Sequence, residues 1–188
     1  MEPYIIILLI LGVVIFFILS FIAGSFNTLV KLRNRVMDQW AQIDVQLKKR
    51  FDVIPNLVET VKAYAKHESG TFEAVVAARN SFTTATTPEA EMKASGELTQ
   101  ALGKIFALAE AYPDLKANTN FLQMQTDLKE IEDKIAYARQ FYNDSVLSYK
   151  NKLEMFPTNI VASMFNFVPK PFFEVTAQER EVTKVSYE

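Results

Sequence analysis

The sequence predicts an all-α membrane protein, in which an N-terminal transmembrane helix continues into an up-down four-helix bundle with long, coiled-coil-like first and last helices. Three observations support this fold class: an apolar stretch near the N-terminus, two long segments with apolar residues at heptad spacing, and no segment with the alternating pattern of a strand. These patterns divide the chain into an anchor at 1–25, a bundle domain at 26–156, an apolar aromatic segment at 157–175 and a polar tail at 176–188.

The stretch from Pro3 to Val30 contains no charged residue, and residues 4–23 are almost wholly Ile, Leu, Val and Phe. Roughly 20 such residues are enough for a helix to cross a bilayer. A cleaved signal peptide would begin with Lys or Arg and have a shorter apolar stretch, so we expect this helix to be retained as a single-pass anchor. The basic residues that follow it closely are Lys31, Arg33 and Arg35. Because basic residues favour the cytoplasmic side, we expect the N-terminus outside and the C-terminal domain in the cytoplasm.

The first long helix of the bundle is predicted from apolar residues that alternate by four and three positions, a pattern that turns one stripe toward a partner helix. These residues are Val36, Trp40, Ile43, Leu47, Ile54, Leu57, Val61 and Tyr64. Arg50 occupies a position in the stripe, and because a buried guanidinium must be paired, we expect it to fix the register of the bundle. Pro55 predicts a kink within the helix, and Gly70 predicts its end.

Three further helices are predicted after this one. The same periodicity indicates a short helix at 71–81 and a longer one at 89–110. The inward residues of the short helix are expected to be Phe72, Val75 and Val76. The last helix begins near Ala117 and has a second heptad stripe: Phe121, Met124, Leu128, Ile131, Ile135, Ala138, Tyr142 and Tyr149. The two long striped helices are expected to pack as antiparallel partners.

The segment that follows the last helix is rich in Phe and is expected near the membrane. If successive helices alternate in direction, the last helix ends on the side where the first one leaves the bilayer. Pro157, Pro169 and Pro171 prevent one continuous helix in this segment. The candidate interaction residues are Arg50, Phe165, Phe167, Phe172 and Phe173. Three roles are open for the aromatic residues: contact with lipid, capping of the bundle, and contact with a neighbouring subunit.

The sequence predicts no catalytic, cofactor-binding or metal site. The chain has no cysteine and a single histidine, His67, which excludes thiol catalysis and zinc sites with paired histidines. The stretch from Gly96 to Ile105 lacks the spacing and the Ser or Thr of a phosphate-binding loop. Asp44, Asp52 and Glu59 recur near one helix face, where ion pairing is favoured over a di-metal centre because the histidines of such centres are missing. The net charge of −2 gives no general attraction to nucleic acid.

Several segments together resemble the LemA family of bacterial membrane proteins. They are Phe26-Asn27-Thr28-Leu29-Val30, the run from Trp40 to Leu47, Ile54-Pro55-Asn56-Leu57-Val58, Tyr112-Pro113, Phe141-Tyr142-Asn143 and Phe165-Asn166-Phe167. The resemblance follows in order along nearly the whole chain. It implies a single-pass helical-bundle protein of the bacterial cytoplasmic (inner) membrane, with no established enzymatic activity. One departure is Asn166, which stands where a Gly commonly precedes the aromatic residue.

Two functions fit these predictions. The first is a non-enzymatic, membrane-anchored helical scaffold or adaptor, which self-associates as a homo-oligomer or binds a membrane protein partner through an aromatic surface beside the lipid bilayer. The alternative is a lipid- or ligand-binding sensor, in which the kink at Pro55 transmits a change toward the membrane. Binding of a ligand to the folded state would raise the melting temperature of a sensor, whereas a scaffold needs no such ligand.

Overall fold

The computed structural model describes residues 3–174, and within this range the chain is helical and contains no strand. Its helices are α1 (Pro3–Tyr64), α2 (Ser69–Thr84), α3 (Pro88–Glu110), α4 (Pro113–Lys116), α5 (Thr119–Glu154) and α6 (Thr158–Met164). The predicted all-α fold class is therefore confirmed. The polar tail predicted at 176–188 lies outside the described residues, as does Val175 at the end of the aromatic segment.

Helix α1 joins the apolar stretch and the first heptad stripe in one element of 62 residues, and it continues through Pro55. Among the described residues it is the one helix that is long and apolar enough to cross a membrane, and none of its apolar window is buried within the protein. This N-terminal apolar helix indicates a single-pass membrane anchor.

Helix α1 ends at Tyr64, earlier than the stop predicted at Gly70. Gly70 lies instead in the first turn of α2, and no glycine in the described range has the positive φ of a left-handed helix cap. The chain leaves α1 through a turn in which the N–H of Glu68 donates to the carbonyl of Ala65 at 3.2 Å. The prediction was wrong because a backbone turn, not a glycine cap, ends this helix.

Helix α2 is longer than predicted, and one of its expected core residues points outward. Phe72, Val75 and Ala78 are buried at a spacing of three residues, whereas Val76 is 43% exposed. The buried face of α2 is thus narrower than the face predicted from its apolar residues, because it does not include Val76.

Helix α3 begins at a well-formed N-terminal cap. The hydroxyl of Thr87 accepts a hydrogen bond from the N–H of Ala90 at 3.2 Å, and Pro88 occupies the first turn. Glu89 and Glu91 lie in the same turn, where the positive end of the helix dipole favours negative charge.

The chain forms two compact units, and each has its own buried residues. The bundle unit comprises residues 40–140 with Phe173 and Glu174. Its core draws on α1, α2, α3, α4 and α5 and includes Ile54, Leu57, Val61, Phe72, Val75, Leu98, Ile105, Leu115, Phe121 and Leu128. Phe51 of α1 stacks on Phe82 of α2, with ring centroids 4.0 Å apart. Helix α1 therefore buries a wider face here than its heptad stripe alone predicts.

The anchor unit comprises residues 3–39 and 141–172. Its buried apolar residues include Leu29, Val36, Tyr142, Val146, Tyr149, Val161 and Ala162. Val36, Tyr142 and Tyr149 occupy predicted stripe positions and are buried as expected, and Val146 completes the stripe of α5 between the two tyrosines.

Candidate interaction sites

Arg50 lies inside the bundle unit, where its side chain is paired. The residue is 4% exposed, and its Nη2 lies 2.9 Å from Oε2 of Glu132 on α5. Its guanidinium also donates to two hydroxyls of α3, Oγ1 of Thr99 at 3.0 Å and Oγ of Ser95 at 3.4 Å. One charged side chain of α1 thus contacts both α3 and α5, which fixes the register of three helices.

The partners of Arg50 are only partly evident from the sequence. A paired guanidinium was expected, but Glu132 was not identified because it lies beside the apolar stripe of α5 and not within it. Ser95 and Thr99 are four residues apart on α3, and each directly follows a buried apolar residue, Ala94 or Leu98. The sequence contains one signal for these partners of Arg50: two hydroxyl residues lie one helical turn apart, next to a buried apolar stripe.

A groove of about 690 Å³ opens beside this ion pair, between α3 and α5. This α3–α5 groove is lined by Leu102, Gly103, Phe106, Gln125, Leu128 and Lys129, with Arg50, Thr99 and Glu132 at one end. The Glu132 side chain is 39% exposed as a whole, but its Oε2, the oxygen that pairs with Arg50, is buried.

In the anchor unit, the aromatic segment packs against the residue that follows the apolar stretch of α1. The ring of Phe26 lies 4.8 Å from that of Phe165 and 5.6 Å from that of Phe167, both edge-to-face. The guanidinium carbon of Arg33 lies 5.4 Å from the centroid of the Phe167 ring. Burial raises the pKa of the nearby Tyr149 hydroxyl, and the charge of Arg33 opposes that rise.

The turn between Phe165 and Phe167 is a helix C-terminal cap. Asn166 has a φ of 54°, in the left-handed region that Gly and Asn tolerate best. The N–H of Phe167 donates to the carbonyl of Ala162 at 2.9 Å, and that of Asn166 to the carbonyl of Ser163 at 3.3 Å, which is the hydrogen-bond pattern of a Schellman motif. Asn166 therefore adopts the left-handed conformation that glycine most often supplies at such a cap.

Much of the apolar surface around α6 is exposed. Phe156 is 79% exposed, Phe165 is 46% exposed, and Ile160, Met164 and Val168 are also on the surface. Ile160 and Met164 are four residues apart on one face of α6, while Val161 and Ala162 on the other face are buried. We refer to Phe156, Ile160, Met164, Phe165 and Val168 as the aromatic surface.

The last two candidate residues, Phe172 and Phe173, belong to different units. Phe172 is half-buried in the anchor unit, where the hydroxyl of Tyr142 donates to the carbonyl of Pro171 at 2.8 Å. Phe173 is buried in the bundle unit, with its ring centroid 6.1 Å from that of Trp40 and 4.4 Å from the guanidinium carbon of Arg139. Among the four aromatic candidates, Phe165 is the one that the structure leaves exposed.

Most titratable groups outside these sites lie on the surface of the described part of the chain. His67 is exposed, and within residues 3–174 no group of three or more His, Cys, Asp or Glu side chains is placed to hold a metal ion. Asp52 is paired with Lys48 at 3.5 Å on the surface of α1. Burial raises the pKa of Glu91, and the neighbouring charge of Asp44 raises it further.

Comparison with known proteins gives one family and a small set of relatives. The model of the LemA family matches residues 39–187. Protein LemA of Metamycoplasma hominis is 26% identical over 178 residues, covering 88% of this chain and 80% of that protein. Magnetosome protein MamQ 2 of Paramagnetospirillum magneticum is 31% identical over 86 residues, covering 46% of this chain and 32% of that protein. Magnetosome protein MamQ of Magnetospirillum gryphiswaldense is 29% identical over 85 residues, covering 45% of this chain and 31% of that protein.

Proposed function

Because the chain belongs to the LemA family, we propose that it is a non-enzymatic scaffold or adaptor anchored in the cytoplasmic membrane of a bacterium. Its aromatic surface binds a second copy of the chain or another membrane protein at the bilayer surface. The proposal assigns no residue to catalysis and requires no cofactor.

The charges beside the span support an N-terminus outside the cytoplasm and a cytoplasmic C-terminal domain. Lys31, Arg33 and Arg35 follow the apolar stretch and are exposed, and such residues accumulate on the cytoplasmic side. At that surface they also attract anionic headgroups.

The observation that carries the proposal is the packing of Phe165 and Phe167 on Phe26. Phe26 follows Ala23, the last residue of the apolar stretch, by about 5 Å along the helix. An apolar segment rich in Phe and packed at this level supports a position at the boundary between headgroups and hydrocarbon, where apolar faces containing Phe insert.

The exposure of the aromatic surface supports an interaction with another molecule. Exposed apolar patches of this kind mark contacts with proteins or membranes in soluble proteins. The Schellman turn at Asn166 holds Phe165 in place before any partner binds, so less conformational entropy is lost on association.

The test replaces three exposed residues that contribute little to the core. We expect the triple variant Phe156→Ser, Ile160→Ser, Met164→Ser to fold normally but to reduce the mass of the complex that is extracted gently from the native membrane. Native mass spectrometry of the extracted complex measures that mass and identifies the proteins that remain bound. The matched control is Val76→Ser with Leu122→Ser, which removes exposed apolar residues of the bundle unit.

Two outcomes contradict the proposal. The first is that the unmodified chain is extracted as a monomer with lipid alone. The second is that the triple variant retains every bound protein, as the control does, since the aromatic surface would then contribute nothing to association.

A further inference from the structure

The anchor unit and the bundle unit have net charges of opposite sign. The described residues of the anchor unit include six basic and three acidic side chains, which give a net charge of +3. Those of the bundle unit include 12 basic and 15 acidic side chains, which give a net charge of −3. Because anionic lipids attract basic residues close to a membrane, the charge of the anchor unit complements an anionic leaflet, and that of the bundle unit does not.

The basic residues of the anchor unit border the aromatic surface in sequence. The three that follow the apolar stretch of α1 are exposed. Of the other three, Lys150 and Lys152 precede α6, and Lys170 follows it. No acidic residue occurs from Met155 to Phe172. An apolar surface bordered by basic residues is typical of a segment that lies in the membrane interface.

The packing of the aromatic segment on α1 sets the level of the aromatic surface relative to the apolar stretch. Phe165 and Phe167 contact Phe26, with ring centroids 4.8 and 5.6 Å away. Phe26 follows Ala23, the last residue of the stretch, by about 5 Å along the helix. The headgroup layer on each side of a bilayer is about 5–8 Å thick. The exposed ring of Phe165 is therefore at the level of the headgroups.

The exposed face of α6 has no charged residue. Ile160 and Met164 are 54% and 57% exposed. The other exposed residues of α6, Asn159 and Ser163, are polar but uncharged. Transfer of this face into the headgroup layer removes apolar surface from water and does not bury a charge.

From these observations we infer that the aromatic surface lies in the headgroup layer of the leaflet that α1 leaves, where the lysines around α6 bind the phosphates of anionic phospholipids. The anchor unit then contacts the membrane twice, through the span of α1 and through α6. The inference rests on the proposed function for the site and deepens it, because a protein partner has to displace lipid and therefore has to reach the same layer.

The test measures the depth of α6 with an environment-sensitive dye, since the chain contains no cysteine of its own. Met164→Cys, Asn27→Cys and Met37→Cys are labelled singly in the full chain and placed one chain per lipid nanodisc, so that no second copy is present. Positions 27 and 37 are exposed on α1, about 6 and 21 Å beyond Ala23, and mark levels inside and outside the headgroup layer.

We expect the dye at position 164 to behave as the dye at position 27 does. Lipids with a nitroxide on the headgroup should quench both several-fold more strongly than they quench the dye at position 37, because an inserted apolar face lies within the headgroup layer. Iodide in the water should show the opposite order. The matched control is Leu122→Cys in the bundle unit, where the native residue is 45% exposed, and its dye should behave as the dye at position 37 does.

A second variant tests the anionic lipids. Each lysine close to an anionic surface favours the bound state by about fivefold, so removal of three should lower the equilibrium constant for insertion roughly 100-fold. We therefore expect stronger nitroxide quenching at position 164 in phosphatidylglycerol nanodiscs than in phosphatidylcholine nanodiscs, and loss of this difference in the variant Lys150→Gln, Lys152→Gln, Lys170→Gln. The control removes three exposed lysines of the bundle unit and should keep the difference: Lys49→Gln, Lys66→Gln, Lys104→Gln.

Three results would overturn the inference. In the first, the dye at position 164 is as exposed to iodide as the dye at position 37. In the second, it is protected only in nanodiscs that contain two chains, which would make a second copy the occupant of the surface. In the third, the two lysine variants respond alike to anionic lipid. None of these results decides the scaffold function, which is measured by the mass of the extracted complex.

Discussion

The two units differ in the kind of residue that each one buries or exposes against the usual rule. The bundle unit buries a charged residue, Arg50, in its core, whereas the anchor unit exposes large apolar residues such as Phe156 and Val168. In the bundle unit, the buried charge is compensated by one carboxylate and two hydroxyls. In the anchor unit, the exposed ring of Phe165 is held by a capped turn and by contact with Phe26.

The difference indicates what each unit contributes. A buried ion pair adds little net stability but rejects arrangements in which the charge would be unpaired, so the bundle unit gains a defined register. Exposed apolar side chains contribute little to folding, and their fixed position favours contact with a second surface. The variants below separate these two roles.

The largest effect is expected when Glu132 is removed. Glu132→Ala leaves Arg50 buried with hydroxyl partners but without this carboxylate, and we expect a loss of about 2–4 kcal/mol in the free energy of unfolding. The value lies toward the low end for a buried pair because Glu132 is 39% exposed. Urea unfolding of the full chain in micelles, followed by circular dichroism, measures it.

A double variant gives the control for this prediction. Arg50→Met with Glu132→Leu removes both charges and keeps most of the volume, so its stability should lie near that of the unmodified chain. If Glu132→Ala and the double variant are equally destabilised, packing and not charge compensation is the function of these residues.

A smaller effect is expected at the turn that holds the aromatic surface. Asn166→Ala places an alanine at a φ of 54°, and we expect a cost of about 1 kcal/mol. Hydrogen exchange at the amide of Phe167, which bonds to the carbonyl of Ala162, should become faster. Asn166→Gly should preserve both stability and exchange, and similar destabilisation by Gly and Ala would mean that the Asn side chain, not its backbone conformation, matters.

The smallest effect is expected at Glu91 and depends on pH. Its folded-state pKa is raised, so ionisation at neutral pH is less favourable in the folded chain than in the unfolded one, and stability should increase as pH falls toward the usual value of 4.5. Glu91→Gln should therefore raise the melting temperature near pH 7, with a gain that vanishes below the usual pKa. Glu89→Gln, in the same helical turn, tests whether loss of a charge beside the helix dipole produces the same change.

Much of the fold follows from patterns in the sequence. The heptad positions from Val36 to Val61 predict the buried face of α1, and Tyr142 and Tyr149 predict that of α5, because a long helix with one partner repeats its contacts regularly. The expected kink at Pro55 stays a prediction. The end of α1 was missed because a backbone turn, not a glycine, ends this helix. The outward position of Val76 was missed because α2 buries only the narrow face formed by Phe72, Val75 and Ala78.

The sequence predicts which residues form the sites, but it does not predict their partners or their exposure. The position of Arg50 in a stripe implies a buried partner, but any acidic residue of a facing helix would satisfy that requirement, so Glu132 could not be chosen. Phe172 and Phe173 are adjacent in sequence, yet the first belongs to the anchor unit and the second to the bundle unit. Which unit each phenylalanine joins depends on the path of the backbone, and the composition of the segment does not predict that path.

The packing of Phe173 on Trp40 has a practical consequence. Trp40 is the one tryptophan of the chain, and its indole is half-buried beside the last described residues of the bundle unit. Its emission wavelength depends on contact with water, so the protein contains an intrinsic fluorophore that reports on the packing of Phe173. Binding events that displace Phe173 can therefore be followed spectroscopically in the unlabelled, full-length protein.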